Sequence, residues 1–185
     1  MAITTLNNRS INRSDTAASG QLWTATSATA SDFQAAASSA KVGQILQTVN
    51  TGTETAGVST YTDITDFART ITCTATSSKV LILVDMKFCI QSGYRGWYQL
   101  MRDTTAIYVS DAMAATGGGT HSGNENMYGE TIMYLDSPSS TSEISYNLEW
   151  KTQSAASMHL NRTHANNATF GGNGASSITV MEILA

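Results

Sequence analysis

Three histidines, His121, His159 and His164, are the first candidates for metal or proton chemistry among the 185 residues. His159 and His164 lie close enough in sequence to reach one ion. Asn and Thr crowd that region, however, and no third ligand is indicated, so surface imidazoles in Asn/Gly-rich turns are the expectation. Two carboxylate pairs come next. Asp103 and Asp111 flank a short predicted strand, and Glu130 and Glu149 are candidate neighbours across a hairpin. Paired carboxylates can cleave glycosidic bonds when their separation is fixed, but no register fixes it here. The chain has no G-x-S-x-G elbow, H-E-x-x-H, C-x-x-C or P-loop. The expectation is a protein without enzymatic activity, cofactor or metal. Glu182 shares a predicted strand face with the apolar Ile178, Val180 and Leu184, where a carboxylate needs a partner; Arg69, Arg95 and Arg102 are candidates. Tyr94, Trp97 and Tyr128, with Tyr98, Tyr108 and Tyr134 nearby, offer ring faces on which a glycan could stack, although core or interface packing is the commoner fate of such rings.

The composition narrows the frame that must carry these groups. Apolar residues make up 41% of the chain and charged residues only 13%, against about 25% charged in an ordinary domain. Ser and Thr, about a quarter of the sequence, replace the missing charge. No run of about 18 apolar residues predicts a membrane helix, and no secretory signal is visible at the start. Ten Lys+Arg and a net charge of −4 give no basic footprint for nucleic acid. The expected partners therefore include neither membrane nor nucleic acid. Outer faces covered by Thr and Ser rather than Glu and Lys point to sheets, and to a subunit that neighbours cover in part.

Strand patterns begin at residue 41. Residues 41–50 form a plausible first strand. Residues 68–76 alternate strictly, with Ile71, Cys73 and Ala75 on one side and threonines on the other. Residues 79–90 are longer and more apolar. Ser77-Ser78 between them predicts a tight hairpin in which Ala75 faces Val80, Cys73 faces Ile82, Ile71 faces Val84 and Phe67 faces Phe88. Cys73 and Cys89 then point to opposite faces and cannot bridge, so both are read as reduced thiols. Further strands are expected over 95–103, 106–110, 127–136, 142–151, 157–161 and 176–184, with Met133 and Leu135 sharing a face with Ile144 to Trp150 and Gly129 leaving space for Trp150. Nine or ten strands, frequent turn signals and no long helix predict an all-β fold: an antiparallel jelly-roll sandwich over residues 41–185.

Residues 1–40 read differently. Their large apolar residues are scattered among Ser, Thr, Ala and Asn with no sustained period, and cannot build a core. They form either a disordered leader or an extended N-terminal anchoring arm; the arm is favoured, with Leu6, Ile11, Leu22, Trp23 and Phe33 as its anchors and room for one helical turn in 31–37. At the other end, residues 176–184 are apolar on both faces, and Leu81 and Leu83 leave the second face of the long strand half dry. Leu81, Leu83, Val180, Glu182 and Leu184 are the expected subunit interface.

Several segments resemble a jelly-roll module of bacteriophage structural proteins: 41–47 (KVGQILQ), 76–84 (TSSKVLILV), 100–107 (LMRDTTAI), 135–138 (LDSP) and 176–183 (SSITVMEI). The opening 6–17 (LNNRSINRSDTA) is similar to leaders of phage fibre and decoration proteins. The resemblance implies a virion protein on the particle surface, synthesised in the host cytoplasm. Its head would look like the trimeric globular heads of the tumour-necrosis-factor type. The implied partners are two further copies, making a homotrimer, and the major capsid protein or another virion protein. A capsid decoration (cement) protein is the reading favoured by the short, repeat-free N-terminal segment. A tail-fibre or head-fibre knob touching a host-surface glycan through Tyr94, Trp97 and Tyr128 is the alternative.

Overall fold

The computed structural model describes residues 41–91, 93–110, 126–166 and 172–185 in full, and the backbone of 21–25 and 31–35. Leu6, Ile11, Asp111 and His121 lie outside the described residues. The chain divides into two units, Met1–Ala40 and Lys41–Ala185.

In the first unit, β1 (Gln21–Ala25) pairs antiparallel with β2 (Ser31–Ala35), placing Trp23 opposite Phe33. The helical turn expected at 31–37 is thus replaced by a strand. One isolated turn leaves most of its backbone groups unpaired, whereas a ladder pairs them at once.

The second unit is a sandwich of two antiparallel sheets. Its principal strands are β3 (Val42–Asn50), β5 (Thr62–Thr72), β6 (Lys79–Ile90), β7 (Gly96–Arg102), β8 (Thr105–Val109), β9 (Tyr128–Asp136), β10 (Glu143–Thr152) and β12 (Ser176–Ile183). Two short strands, β4 (Glu54–Ala56) and β11 (Met158–Leu160), prolong the lines of β3 and β12: β6 pairs with β12 along 79–85 and with β11 along 88–90. One sheet runs β3-β12-β6-β9 and the other β5-β10-β7-β8. Counting the principal strands from one to eight, the orders are 1-8-3-6 and 2-7-4-5, the wrapping of a jelly roll.

Alternation decides which side of each strand is dry. Val80, Ile82, Val84, Met86 and Phe88 of β6 face Ile144, Tyr146, Leu148 and Trp150 of β10 across one hydrophobic core, and all are buried. Each such large side chain contributes about 1.5–3 kcal/mol by leaving water.

The expected hairpin between residues 76 and 79 does not form. The chain turns at Ala75–Ser78, where the Ser78 amide donates to the Ala75 carbonyl (3.1 Å), and it passes into the opposite sheet. β5 pairs with β10, and β6 pairs with β12 and β9. The apolar residues expected side by side therefore belong to facing sheets. Alternation marks the inner face of a strand but is silent on its lateral neighbour. The same correction applies to β9 and β10, which also lie in different sheets. Met133 and Leu135 consequently point outward rather than toward Trp150, and Gly129 adjoins the Lys87 side chain. Strict alternation in β5 also breaks at Asp66, whose φ of 54° marks a bulge that brings both Ile64 and Phe67 inside.

Cys73 and Cys89 are both buried thiols, with no disulfide between them. Burial pushes both thiols above their usual range; Glu182 and then Asp136 add to the shift at Cys73.

Candidate interaction surface

Each sheet turns one face away from the core, and the two outward faces differ in chemistry. On the four-stranded sheet, β10 presents Glu143, Ser145, Asn147, Glu149 and Lys151, flanked by Thr70, Thr72 and Asp63 of β5 and by Gln99 and Trp97 of β7. Polar contacts run along its middle: Asn147 donates to Asp63, Gln99 to Glu149, and the Lys151 ammonium sits 4.4 Å from the Tyr61 ring centre and 5.2 Å from that of Trp97. This is an ordinary solvated face.

The outward face of the other sheet is apolar. Register aligns Ile45, Met181, Leu81 and Leu135 in one row across β3, β12, β6 and β9. The next row is Gln47, Thr179, Leu83 and Met133. Met133 is 73% exposed, Ile45 59%, Val49 56%, Leu135 50% and Val42 43%. Scattered exposed apolar residues are normal, but a contiguous set on one sheet face marks a contact surface. Charge is confined to β6, with Lys79 at one end of the face and the Asp85–Lys87 ion pair toward the other.

The expected interface residues divide accordingly. Leu81 and Leu83 are half-buried on this outward face, and Leu184 is half-buried just beyond β12. Val180 and Glu182 are 0% exposed and point into the sandwich, so they have no surface to offer a neighbour. The outward residues of β12 are the odd-numbered Thr179, Met181 and Ile183. A strand apolar on both sides disguised which side was internal.

Glu182 has partners, but not the expected arginines. One carboxylate oxygen accepts from the Thr74 amide (2.6 Å) and hydroxyl (2.7 Å), and the other from the Gln44 side-chain amide (3.1 Å). Burial pushes this carboxyl up, yet the hydrogen bonds led by Thr74 outweigh it and hold the group at about 2. Gly43 makes room for it: a Cβ there would meet the Glu182 carboxylate at 2.7 Å and Leu184 at 3.0 Å. Arg102 instead grips both oxygens of Asp136 (2.9 and 3.0 Å), and the buried Tyr146 hydroxyl donates to the same group (2.7 Å). This polar clamp joins β7 and β10 to β9 across the core.

The remaining chemical candidates are dispersed or spent on structure. His159 and His164 do meet, but ring to ring: Nε2 of His159 lies 2.7 Å from Nδ1 of His164, and its Nδ1 lies 2.9 Å from the Thr55 hydroxyl, which also accepts from Arg162 (2.9 Å). Burial, then Arg162 and His164, push His159 down to about 4. Among the described residues no three His, Cys, Asp or Glu side chains gather as metal ligands. Glu130 and Glu149 stand in different sheets, the former accepting from the Tyr98 hydroxyl (3.2 Å). Asp103 accepts from the Ser145 amide (2.9 Å). The three glycan candidates have different surroundings. Tyr94 is exposed in the turn before β7, Lys151 occupies the Trp97 ring, and Tyr128 tilts against Phe88 and packs on the core.

Sequence reasoning missed Asn161. It is fully buried, with φ of 55°, and its amide donates to the carbonyls of Asn50 and Gly52 (2.8 Å each) while its side-chain oxygen accepts from Ser176 (2.6 Å). It ties the β3–β4 turn to the start of β12. Its only sequence signal is an Asn at the end of a strand, where left-handed backbone is tolerated.

No protein-family model and no curated protein matches the chain. Structural comparison finds partial likeness to chains in several structures of infectious bursal disease virus. The Gx strain structure matches at 14% identity and TM-score 0.43, covering 88% of this chain and 41% of that one. The derived T=1 particle structure matches at 10% and 0.41, covering 87% and 44%. The VP2 subviral particle matches at 14% and 0.39, covering 88% and 42%. This chain thus spans less than half of each, and likeness of that degree carries no functional inference.

Proposed function

We propose that this chain is a non-enzymatic virion structural protein, a homotrimeric capsid decoration protein held on the particle by residues 1–40. The observation that carries the reading is the row of exposed apolar side chains on the outward face of the β3-β12-β6-β9 sheet, set against a more polar outward face on the other sheet, where Trp97, Met101 and Val109 are the large apolar exceptions. Such asymmetry belongs to a subunit built to be covered. The virion setting rests on the resemblance of the strand segments and of the opening leader to phage structural proteins. Many copies, each making modest contacts with capsid protein, gain hold through avidity. The fibre-knob alternative has less behind it, because Lys151 already occupies the Trp97 ring and Tyr128 packs on the core.

Cosedimentation with parent capsids stripped of the protein tests the reading. The full chain should saturate the capsids at a fixed stoichiometry, and a chain lacking residues 1–35 should stay folded and remain in the supernatant. Equal binding by the truncated chain would refute anchoring through the arm. Tight binding to host-surface polysaccharide without binding to capsids would replace decoration with the knob.

A further inference from the structure

We propose that His159 and His164 form an acid-sensitive latch. Closed, the two rings hold residues 161–166 over the Cys89 end of β6; protonated, they part and let that segment leave the sheet.

The latch is built on three strands in register. Cys89 of β6, His159 of β11 and Thr55 of β4 stand opposite one another. Their neighbours Phe88, Leu160 and Ala56 belong to the core, so the three share the outward side of their sheet. Residues 161–166 cross over this row. The Arg162 guanidinium donates to the Thr55 hydroxyl (2.9 Å), the His164 ring meets the His159 ring (2.7 Å), and the His164 amide donates to the Cys89 sulfur. Beneath them Cys89 is 0% exposed and His159 4%, while His164 is half-buried. The segment begins at Asn161, which its side chain ties to Asn50, Gly52 and Ser176. Asn161 is therefore the pivot, and the contacts made beyond it are the latch.

One arrangement of hydrogens uses every group. Arginine only donates, so the Thr55 oxygen accepts from Arg162. The Thr55 hydrogen goes to Nδ1 of His159 (2.9 Å), and Nε2–H of His159 donates to Nδ1 of His164. At 2.7 Å one hydrogen fits between the facing nitrogens. A proton added to Nδ1 of His164 opposes the N–H of His159. If the shared hydrogen shifts across instead, the pair still carries a positive charge close to the Arg162 guanidinium.

Nothing around the rings offsets that charge. From β6 they are faced by Cys89, with Lys87 and Asp85 farther along the same side and paired with each other. The residue of β4 that faces them is Thr55, which carries no charge. Glu54 beside it accepts from the Thr65 amide (2.7 Å). Among the described residues no carboxylate forms an ion pair with either ring. Burial, then Arg162 and His164, accordingly push His159 down to about 4. Once the segment lifts, the ring meets water and takes up a proton at its ordinary 6.5. A proton bound only by the open form makes opening about tenfold easier per pH unit. The latch is thus fully closed above 6.5 and gives way progressively as pH falls toward 4.

Dithiodipyridine, which stays reactive toward thiols in acid, reads the opening on the full chain. Labelled cysteines are identified by peptide mass, and each rate is divided by that of the same peptide unfolded at the same pH. The relative rate at Cys89 should rise about 100-fold between pH 6.5 and pH 4.5, one proton over two pH units. Cys73, buried beside Glu182, should keep its protection. His159→Gln should flatten the Cys89 profile; if that variant loses its thermal transition, His159→Asn replaces it with the same flat profile expected. A Cys89 rate unchanged over this range, a rise shared equally by Cys73, or a rise undiminished in the His159 variant would each overturn the proposal.

Discussion

Replacing Glu182 by Gln removes a single charge from a fully enclosed site and tests why that charge is tolerated there. The native carboxylate accepts three hydrogen bonds, two from Thr74 and one from Gln44. A glutamine can turn its oxygen toward Thr74 and keep two of them, now without charge assistance. Its amino group then points at the Gln44 amide, which cannot rotate freely because it also donates to the Thr72 carbonyl (2.6 Å). Hydrogen bonds to charged groups contribute about 1.5–3 kcal/mol and neutral ones about 0.5–1.5. Two weakened bonds and one opposed pair of donors amount to about 2–4 kcal/mol. For a domain of this size that lowers Tm by roughly 6–14 °C. The pH dependence supplies the sign. Because the folded group sits at about 2, below its ordinary 4.5, its contribution is complete above 4.5 and disappears as pH falls through 2. Thermal unfolding of Glu182→Gln and wild type should therefore differ most at pH 5–7 and converge toward pH 2. Equal stability at pH 7, or a gap that persists unchanged to pH 2, would refute the account of a carboxylate clamped by Thr74.

Two further outcomes are expected from the same region and from the histidine pair. Gly43→Ala should lower the urea midpoint by an amount equivalent to about 1–3 kcal/mol, because the new Cβ overlaps the Glu182 carboxylate and Leu184; an unchanged midpoint would show that the carboxylate has room to move. His159 is held neutral, at about 4 against an ordinary 6.5, so the stability it contributes is present above 6.5 and is lost as pH falls through 4. His159→Asn should remove that loss from an acid unfolding profile, and an identical profile would show that the ring does not report on folding.

The inside and outside of the strands were legible in the sequence, and their neighbours were not. Alternation in 79–90 and 142–151 marked Val80 to Phe88 and Ile144 to Trp150 as one face, and both are core. The same alternation placed Ile71 beside Val84, whereas the two lie in opposite sheets. Period-2 patterning reports desolvation, a property of each residue, while pairing depends on how distant segments wrap. The candidate surface was half legible for the same reason. Leu81 and Leu83 stood out because apolar residues faced Asp85 and Lys87 along one side of a strand. In 176–184 both sides are apolar, so the pattern does not separate the buried Val180 and Glu182 from the outward Met181. Glu182 announced that it needed a partner, but nothing in the sequence separates a guanidinium from the hydroxyl of Thr74, 108 positions away.

The central places in the two sheets belong to late segments of the chain. β10 lies between β5 and β7, and β12 lies between β3 and β6. During synthesis, β3 and β6 therefore emerge with no strand to join them, and β5 and β7 wait likewise, until residues 143–152 and then 176–183 leave the ribosome. The β5-β10-β7-β8 sheet has all its strands only after residue 152, and the sheet that must cover its apolar side only after residue 183, so ordering comes late and from contacts far apart in sequence. A ribosome that stops before residue 176 releases a chain with two apolar strands still lacking the segment that joins them.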